Sequence, residues 1–250
     1  MVKTFTLAKI NMKRGEKVLA VFPHPDDETG FAAGFLMKCV KEGLEVKVVC
    51  MTKGEAGKSV NKLGENDSLA LVRSREFDKA AALLGVTDYV IEDFGDGKLE
   101  SNIGSMHSYL EALILAYKPD YVLTLEPCGI YGHPDHIALT KVIDGIYEGA
   151  KSLGQHADAN FNASFKLIYA TVSKDEVFRR VRNEMAKNPG NVAPAKPNVI
   201  LVLSVFEIRR KLKAFSSHKS QFKFSPMFFI RWTWRGLLNK EFFAFRDSEF

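Results

Sequence analysis

Two short segments concentrate the ionisable chemistry of this chain. "PHPDDE", Pro23 to Glu28, holds one imidazole and three carboxylates directly after the apolar run "KVLAVF" (17–22), and "YGHPDH", Tyr131 to His136, sets two imidazoles around a proline and an aspartate. A lone His-Pro-Asp is an ordinary turn, in which proline fixes φ and aspartate caps the helix that follows. Two copies, each at a strand end and each with further acid or imidazole, point to one shared site. His24, Asp27 and His136 form a His/His/carboxylate set, the donor pattern of a catalytic zinc that keeps its fourth position open for water. In a tight His-Pro-Asp-Asp turn the first and fourth side chains can converge while the third points elsewhere. His24 and Asp27 are therefore the expected ligand pair, and Asp26 stays unbound, placed as a general base for water. His136 supplies the third ligand from the start of an apolar helix. His133, oriented by Asp135, is the expected stabiliser of charge on a polarised carbonyl. The implied chemistry is metal-assisted hydrolysis of an amide or ester, with no nucleophilic Ser or Cys required.

Positioning such a site requires particular elements. Val-rich runs at 17–22, 45–52, 88–93, 120–126, 165–172 and 199–205 read as strands. Helical spacing of apolar residues fills the intervals at 30–43, 67–85, 103–118 and 137–154, with shorter helices at 174–185 and 206–221. Strict alternation predicts an α/β fold: a Rossmann-like parallel sheet with helices on both faces. Ligands of such sheets bind at the carboxyl ends of strands, at the point where strand order reverses. If the strands at 17–22 and 120–126 are neighbours there, the two His-Pro-Asp loops meet. The Pro/Gly/Asn-rich stretch 187–198 reads as a surface loop, so 1–250 is expected to be a single domain, with a core over about 17–221 and an aromatic C-terminal element over 222–250.

Composition narrows the class. The chain has 250 residues, 46% of them hydrophobic, enough for one core. Its net charge of +5 is a mild excess that suits an anionic substrate and does not call for nucleic acid. Cys39, Cys50 and Cys128 lack metal-type spacing, and no apolar stretch approaches the ~20 residues of a membrane span. A soluble, cytoplasmic protein is the expectation. His107 and His156 lack clustered partners and read as ordinary residues, and Cys128 reads as a small buried thiol.

Taken together, "PHPDDETGFAAG", "TKGEAG", "VRSRE", "FGDG", "YGHPDH" and "SHKSQ" resemble the LmbE-like, or PIG-L, superfamily of zinc-dependent N-acetylglucosaminide deacetylases. The resemblance runs in order from about residue 17 to 221. It implies Zn2+, with Fe2+ as the alternative metal, on His24, Asp27 and His136, and Asp26 as base. His133, helped by Asp135, would stabilise the tetrahedral oxyanion, and Tyr131 would contact it. Arg73 and Asp96 would hold sugar hydroxyls or a phosphate, and Glu28 would be a hydrogen-bond partner behind the ligands. The substrate it implies is an N-acetylated aminosugar that loses acetate. Pro23 stands where relatives more often have Ala, and the tail "FKFSPMFFIRWTWRGLLNKEFFAF" departs further.

Two readings of that tail differ: a packed element closing the site or a subunit interface, or a lipid-facing patch of Trp232, Trp234, Arg231 and Arg235. Packing is favoured over membrane-surface contact through 222–245, because the apolar positions do not fall on one helical face. Self-association into a homo-oligomer is expected. Two other functions share the sequence features: a metal-dependent amidase acting on another acyl-aminosugar conjugate, and a non-catalytic sugar- or nucleotide-binding module. Against the module, the first strand–helix turn lacks G-x-G-x-x-G and carries carboxylates that repel phosphate.

Overall fold

A computed structural model describes residues 10–153, 164–172, 195–223 and 238–246, together with the backbone of 3–5. The helix expected at 174–185, most of the 187–198 loop, His156 and the four Trp and Arg residues at 231–235 lie outside the described residues. One eight-stranded sheet carries the fold: β1 (Lys3–Phe5), β2 (Lys17–Phe22), β3 (Glu45–Cys50), β4 (Asp88–Ile91), β5 (Tyr121–Leu125), β6 (Lys166–Thr171), β7 (Val199–Val202) and β8 (Lys240–Phe245). Their spatial order is β1-β7-β8-β6-β5-β2-β3-β4. From β2 the chain moves outward through β3 and β4, then returns to place β5 on the other side of β2. β2 pairs in parallel with both β3 and β5, with Leu19 opposite Val122. That reversal is the switch point the two His-Pro-Asp loops require.

β2 is nearly continuous in buried residues because helices cover both faces. Val18, Ala20 and Phe22 face an apolar layer with Phe35, Phe77 and Leu84; Leu19 and Val21 face another with Met106, Leu110, Leu139 and Ile143. The first layer belongs to α2 (Ala33–Lys41), α3 (Leu69–Leu84) and α7 (Val205–Phe215), and the second to α4 (Ile103–Tyr117) and α6 (Pro134–Leu153). Two shorter helices, α1 (Asp27–Phe31) and the distorted α5 (Gly129–Gly132), lie at the loops of interest. Ser68 caps α3 by accepting the Leu71 N–H, and Ser204 with Glu207 forms a reciprocal capping box on α7. Among the described residues no helix is long and apolar enough to cross a membrane. All three cysteines are buried and free.

The described part of the aromatic tail is neither a helix nor a surface patch. Residues 240–245 form β8, which runs antiparallel between β6 and β7 and makes the sheet mixed. It covers two strand edges that would otherwise be open. Phe243 packs on Phe35 with ring centroids 5.0 Å apart.

A second feature follows from the sheet. Glu126, just past β5, is fully buried, and one carboxylate oxygen accepts the Ala195 N–H at 3.0 Å. Burial pushes its pKa up to about 7, against hydrogen bonding from Thr171 and Ala195. The folded protein therefore holds a proton that the unfolded chain has released above pH ~4.5, and stability falls as pH rises from there to about 7. Glu126→Gln is expected to raise the thermal midpoint at pH 8 by roughly 5–10 °C and to change it little at pH ~3.5, where both states carry the proton. Thermal melts at the two pH values check this, and an equal shift at both would disprove the burial penalty.

Candidate metal centre

The turn after β2 is tied down by its neighbour strand. Met51 N–H bonds to the Phe22 carbonyl, and Thr52 donates to the Pro23 carbonyl through both its N–H and its hydroxyl. The turn behaves as its sequence suggests: the first and fourth side chains converge and the third diverges. His24 Nδ1 lies 3.5 Å from Asp27 Oδ2, whereas the Asp26 carboxylate turns toward Arg73 at 3.3 Å. Across the switch point, His136 Nε2 lies 3.5 Å from the same Asp27 oxygen. Two donors bound to one tetrahedral ion at ~2.1 Å are ~3.4 Å apart, so both spacings fit adjacent corners of such a shell.

His136 is completely buried, and neither of its ring nitrogens has a hydrogen-bond partner among the described residues. Buried polar atoms are rarely left so, and a cation at this position would satisfy Nε2. Burial depresses the His136 pKa to about 4, keeping the imidazole neutral as a ligand must be. Asp27, despite its own burial, is pulled down to about 2 by His136 and His24. Two groups of three among the described residues bring all their ligand atoms within 4.8 Å of one another: ring nitrogens of His24, His133 and His136, and ligand atoms of His24, Asp96 and Asp135. His24, Asp27 and His136 are not such a group; they are linked by the two 3.5 Å approaches to Asp27 Oδ2. In the second group, the acids hold the far side of His24. Its Nε2 meets Asp96 Oδ1 at 3.0 Å and Asp135 Oδ2 at 3.1 Å, which turns Nδ1 toward Asp27. Burial lowers the His24 pKa, but hydrogen bonds to Asp135, Asp27 and Asp96 raise it well above the ordinary value.

Asp135 thus departs from its expected part. Its carboxylate does not orient His133; it serves His24 and accepts the N–H groups of Gly97 and Leu99. Its backbone N–H does the orienting, donating to His133 Nδ1 at 3.2 Å. Nδ1 is then an acceptor, so neutral His133 carries its proton on Nε2 and donates from there. Burial and the neighbouring His24 hold the His133 pKa down. His133 stacks on His136 at 4.7 Å, and the half-exposed Tyr131 ring stands 5.4 Å from His136. Gly129 makes this approach feasible: its φ is +67°, and a Cβ would come within 2.9 Å of Ile137 and 3.2 Å of the His136 Cβ.

Arg73 and Asp96 are both at the site, but each is engaged with protein. Buried Arg73 donates to the carbonyls of Gly54 and Pro25 as well as facing Asp26. Gly54, at φ +69°, leaves room for the guanidinium, since a Cβ would sit 2.4 Å from it. Asp96 accepts the Ala56 N–H while its own N–H bonds to Glu55, interlocking the loops after β3 and β4. Glu28 is buried behind the ligands, where its Oε2 accepts the Asp26 N–H at 2.8 Å. Asp26 itself takes φ 129° and ψ −23° as the N-cap of α1. Burial pushes its pKa up to about 7, against the pull of Arg73. His107 is a half-buried helix residue near Glu111, as expected.

One residue at the site had no assigned part in the sequence reading. His218, from "SHKSQ", is fully buried and its Nε2 lies 2.8 Å from Glu28 Oε1. Its signal was present: a histidine in an otherwise polar motif, 190 residues from the turn it supports. The "VRSRE" motif also acquires a physical reason. Arg73 and Glu76 lie one helical turn apart on α3; Arg73 holds the "PHPDD" turn, and Glu76 accepts both the N–H and hydroxyl of Ser220.

Known proteins resemble this chain in sequence and in fold. A protein of Bacillus anthracis named "Probable N-acetyl-alpha-D-glucosaminyl L-malate deacetylase 2" is 26% identical over 215 residues, 84% of each chain. A mycothiol S-conjugate amidase of Streptomyces coelicolor is 27% identical over 67% of this chain and 63% of its own. Among solved structures, N,N'-diacetylchitobiose deacetylase from Pyrococcus horikoshii superposes with TM-score 0.66 at 23% identity, covering 92% of this chain and 83% of that one. The 4-carboxy-2-hydroxymuconate hydratase of Pseudomonas putida superposes with TM-score 0.68 at 16% identity, covering 94% and 98%, so the fold alone does not dictate the reaction. Residues 19–147, which span both His-Pro-Asp loops, match the family described as PIG-L, GlcNAc-PI de-N-acetylase. The chain belongs to the PIG-L family.

Proposed function

We propose that this protein is a metal-dependent hydrolase that removes the N-acetyl group from an N-acetylglucosamine-containing substrate. The observation that carries the reading is the buried His136 imidazole, without a hydrogen-bond partner among the described residues, facing an Asp27 oxygen that also faces His24, next to a separate carboxyl on Asp26. His24, Asp27 and His136 would hold the ion, and two nitrogens with one carboxylate favour Zn2+, with Fe2+ as the alternative. When bound, it would polarise the acetyl carbonyl and acidify water at the site.

The chain's own groups do the rest. Asp26 takes the proton from water as its oxygen attacks the acetyl carbon, and Nε2–H of His133 donates to the oxyanion that forms. Collapse breaks the C–N bond, and the proton held on Asp26 passes to the departing nitrogen, leaving a free amine and acetate. A pKa near neutrality suits a group that must both accept and return a proton. The names of the Bacillus and Pyrococcus proteins support an acetylated aminosugar as substrate. The Streptomyces amidase supports a second reading, cleavage of another acyl-aminosugar amide at the same centre.

The test is amine release from a panel of N-acetylglucosaminyl and longer-acyl conjugates, with and without chelator. Release from the acetyl compounds that is abolished by chelator and restored by Zn2+ is expected; turnover only of longer acyl groups selects the amidase. His136→Ala is expected to drop metal content from about one ion per chain to near zero and to remove activity with it. Elemental analysis checks this, and a metal-replete His136 variant would remove it from the ligand set.

A further inference from the structure

Asp26 occupies a backbone conformation that a residue with a side chain rarely adopts, and a non-glycine residue keeps such a conformation only where its surroundings over-determine it. Four contacts do so here. Thr29 Oγ1 donates to the Asp26 carbonyl at 2.8 Å, Arg73 holds the preceding Pro25 carbonyl and faces the Asp26 carboxylate, and Glu28 Oε2 accepts the Asp26 N–H. The Glu28 contact depends on a residue from the far end of the chain. Glu28 and His218 are 1% and 0% exposed, and the imidazole occupies Glu28's other oxygen. His218 is itself held just after α7 ends: its N–H bonds to the Phe215 carbonyl, the Gln221 N–H closes onto its own carbonyl, and Glu76 clamps Ser220 two residues on. The loop after β3 closes the assembly, with the Val60 N–H bonding to the Ser220 carbonyl at 2.7 Å.

Resting on the reading of Asp26 as base, we infer that His218 is the positioning residue of that base: through Glu28 it holds the Asp26 peptide in its strained geometry and so aims the carboxylate away from the ligand set. Neither His218 nor Glu28 need touch the substrate. Without the imidazole, Glu28 loses its only charge partner among the described ion pairs, and the Asp26 N–H loses a fixed acceptor. The peptide then relaxes, while Asp27, His24 and His136, held by their own contacts, still gather one ion.

The test compares His218→Leu, which keeps bulk and removes the donor, with His218→Gln, whose amide N–H can reach the position of Nε2. His218→Leu is expected to retain about one metal ion per chain and to lose kcat by about 10- to 100-fold with KM within about twofold, as for partners standing behind a metal site. His218→Gln is expected to recover most of the kcat. A metal-loaded His218→Leu protein with wild-type kcat overturns the inference, and so does a His218→Gln protein as slow as the leucine variant. A crystal structure of His218→Leu gives an answer independent of any substrate: Asp26 leaves its positive φ if the inference holds and keeps it if not. Should His218→Leu not fold, Glu28→Leu, which offers the Asp26 N–H no acceptor, serves in its place, with the same backbone change and kcat loss expected and wild-type values overturning the idea. Asp26→Asn separates the two levels, since full turnover in that variant removes the base while the backbone result for His218 still stands or falls by itself.

Discussion

Asp26→Asn is expected to lower kcat by about 10²- to 10⁴-fold, the usual contribution of a positioned general base, while metal content stays at about one ion per chain. The separation follows from the turn. Asp27 points toward His24 and His136, whereas the Asp26 carboxylate points toward Arg73, so an isosteric amide at 26 leaves the ligand set intact. Asparagine also tolerates positive φ better than most residues, so the backbone has little reason to move. Metal analysis beside steady-state kinetics on the same preparation reads both quantities. A variant that keeps both metal and turnover would transfer the base to another group; loss of metal together with turnover would place Asp26 in the ligand shell.

The largest effect on stability is expected far from the chemistry, at Lys211. Its ammonium lies 2.8 Å from Glu241 Oε1, and both side chains are 1% exposed. Glu241 belongs to β8 and also accepts the N–H groups of Gly34 and Phe35 at the start of α2. One carboxylate from the end of the chain therefore caps the helix that follows the metal-binding turn. Lys211→Met removes the cation but leaves the carboxylate buried, and breaking such a pair costs about 3–5 kcal/mol. For a domain of this size that corresponds to a thermal midpoint lower by roughly 10 °C. Adding Glu241→Gln removes the stranded charge while keeping an acceptor for the two N–H groups, so the double variant should regain more than half of the loss. Melting curves of the four proteins in a double-mutant cycle measure the coupling. A Lys211→Met protein within about 1 kcal/mol of the parent would show that the pair is dispensable.

Legibility in the sequence followed the range of the interactions. The five strands β2 to β6 and the helices between them were readable because each buries apolar residues at a period set within a few neighbours. β8 was not. Its residues "KEFFAF" sit in a run of aromatics without alternation, and β6 and β7 bury both of its edges, a fact that exists only once the sheet has formed. A substrate contact for Arg73 is implied only by the family resemblance; the fold closes Pro25, Gly54 and Asp26 around it. Asp135 was read toward His133 because the two are neighbours in sequence, yet the helix start turns its carboxylate toward His24.

By itself, then, the sequence determined which groups could do chemistry, and that they belong at strand ends: "PHPDDE" and "HPDH" are local patterns whose residue types and spacing survive any tertiary arrangement. The tertiary structure alone decided which atoms face which. Placing β5 beside β2 brings His136 to Asp27 across more than a hundred residues. The end of α7 brings His218 to Glu28, and the last strand brings Glu241 to the start of α2. Those contacts carry no local signature, because a buried imidazole or carboxylate finds its partner through the packing of the sheet rather than through its neighbours in the chain.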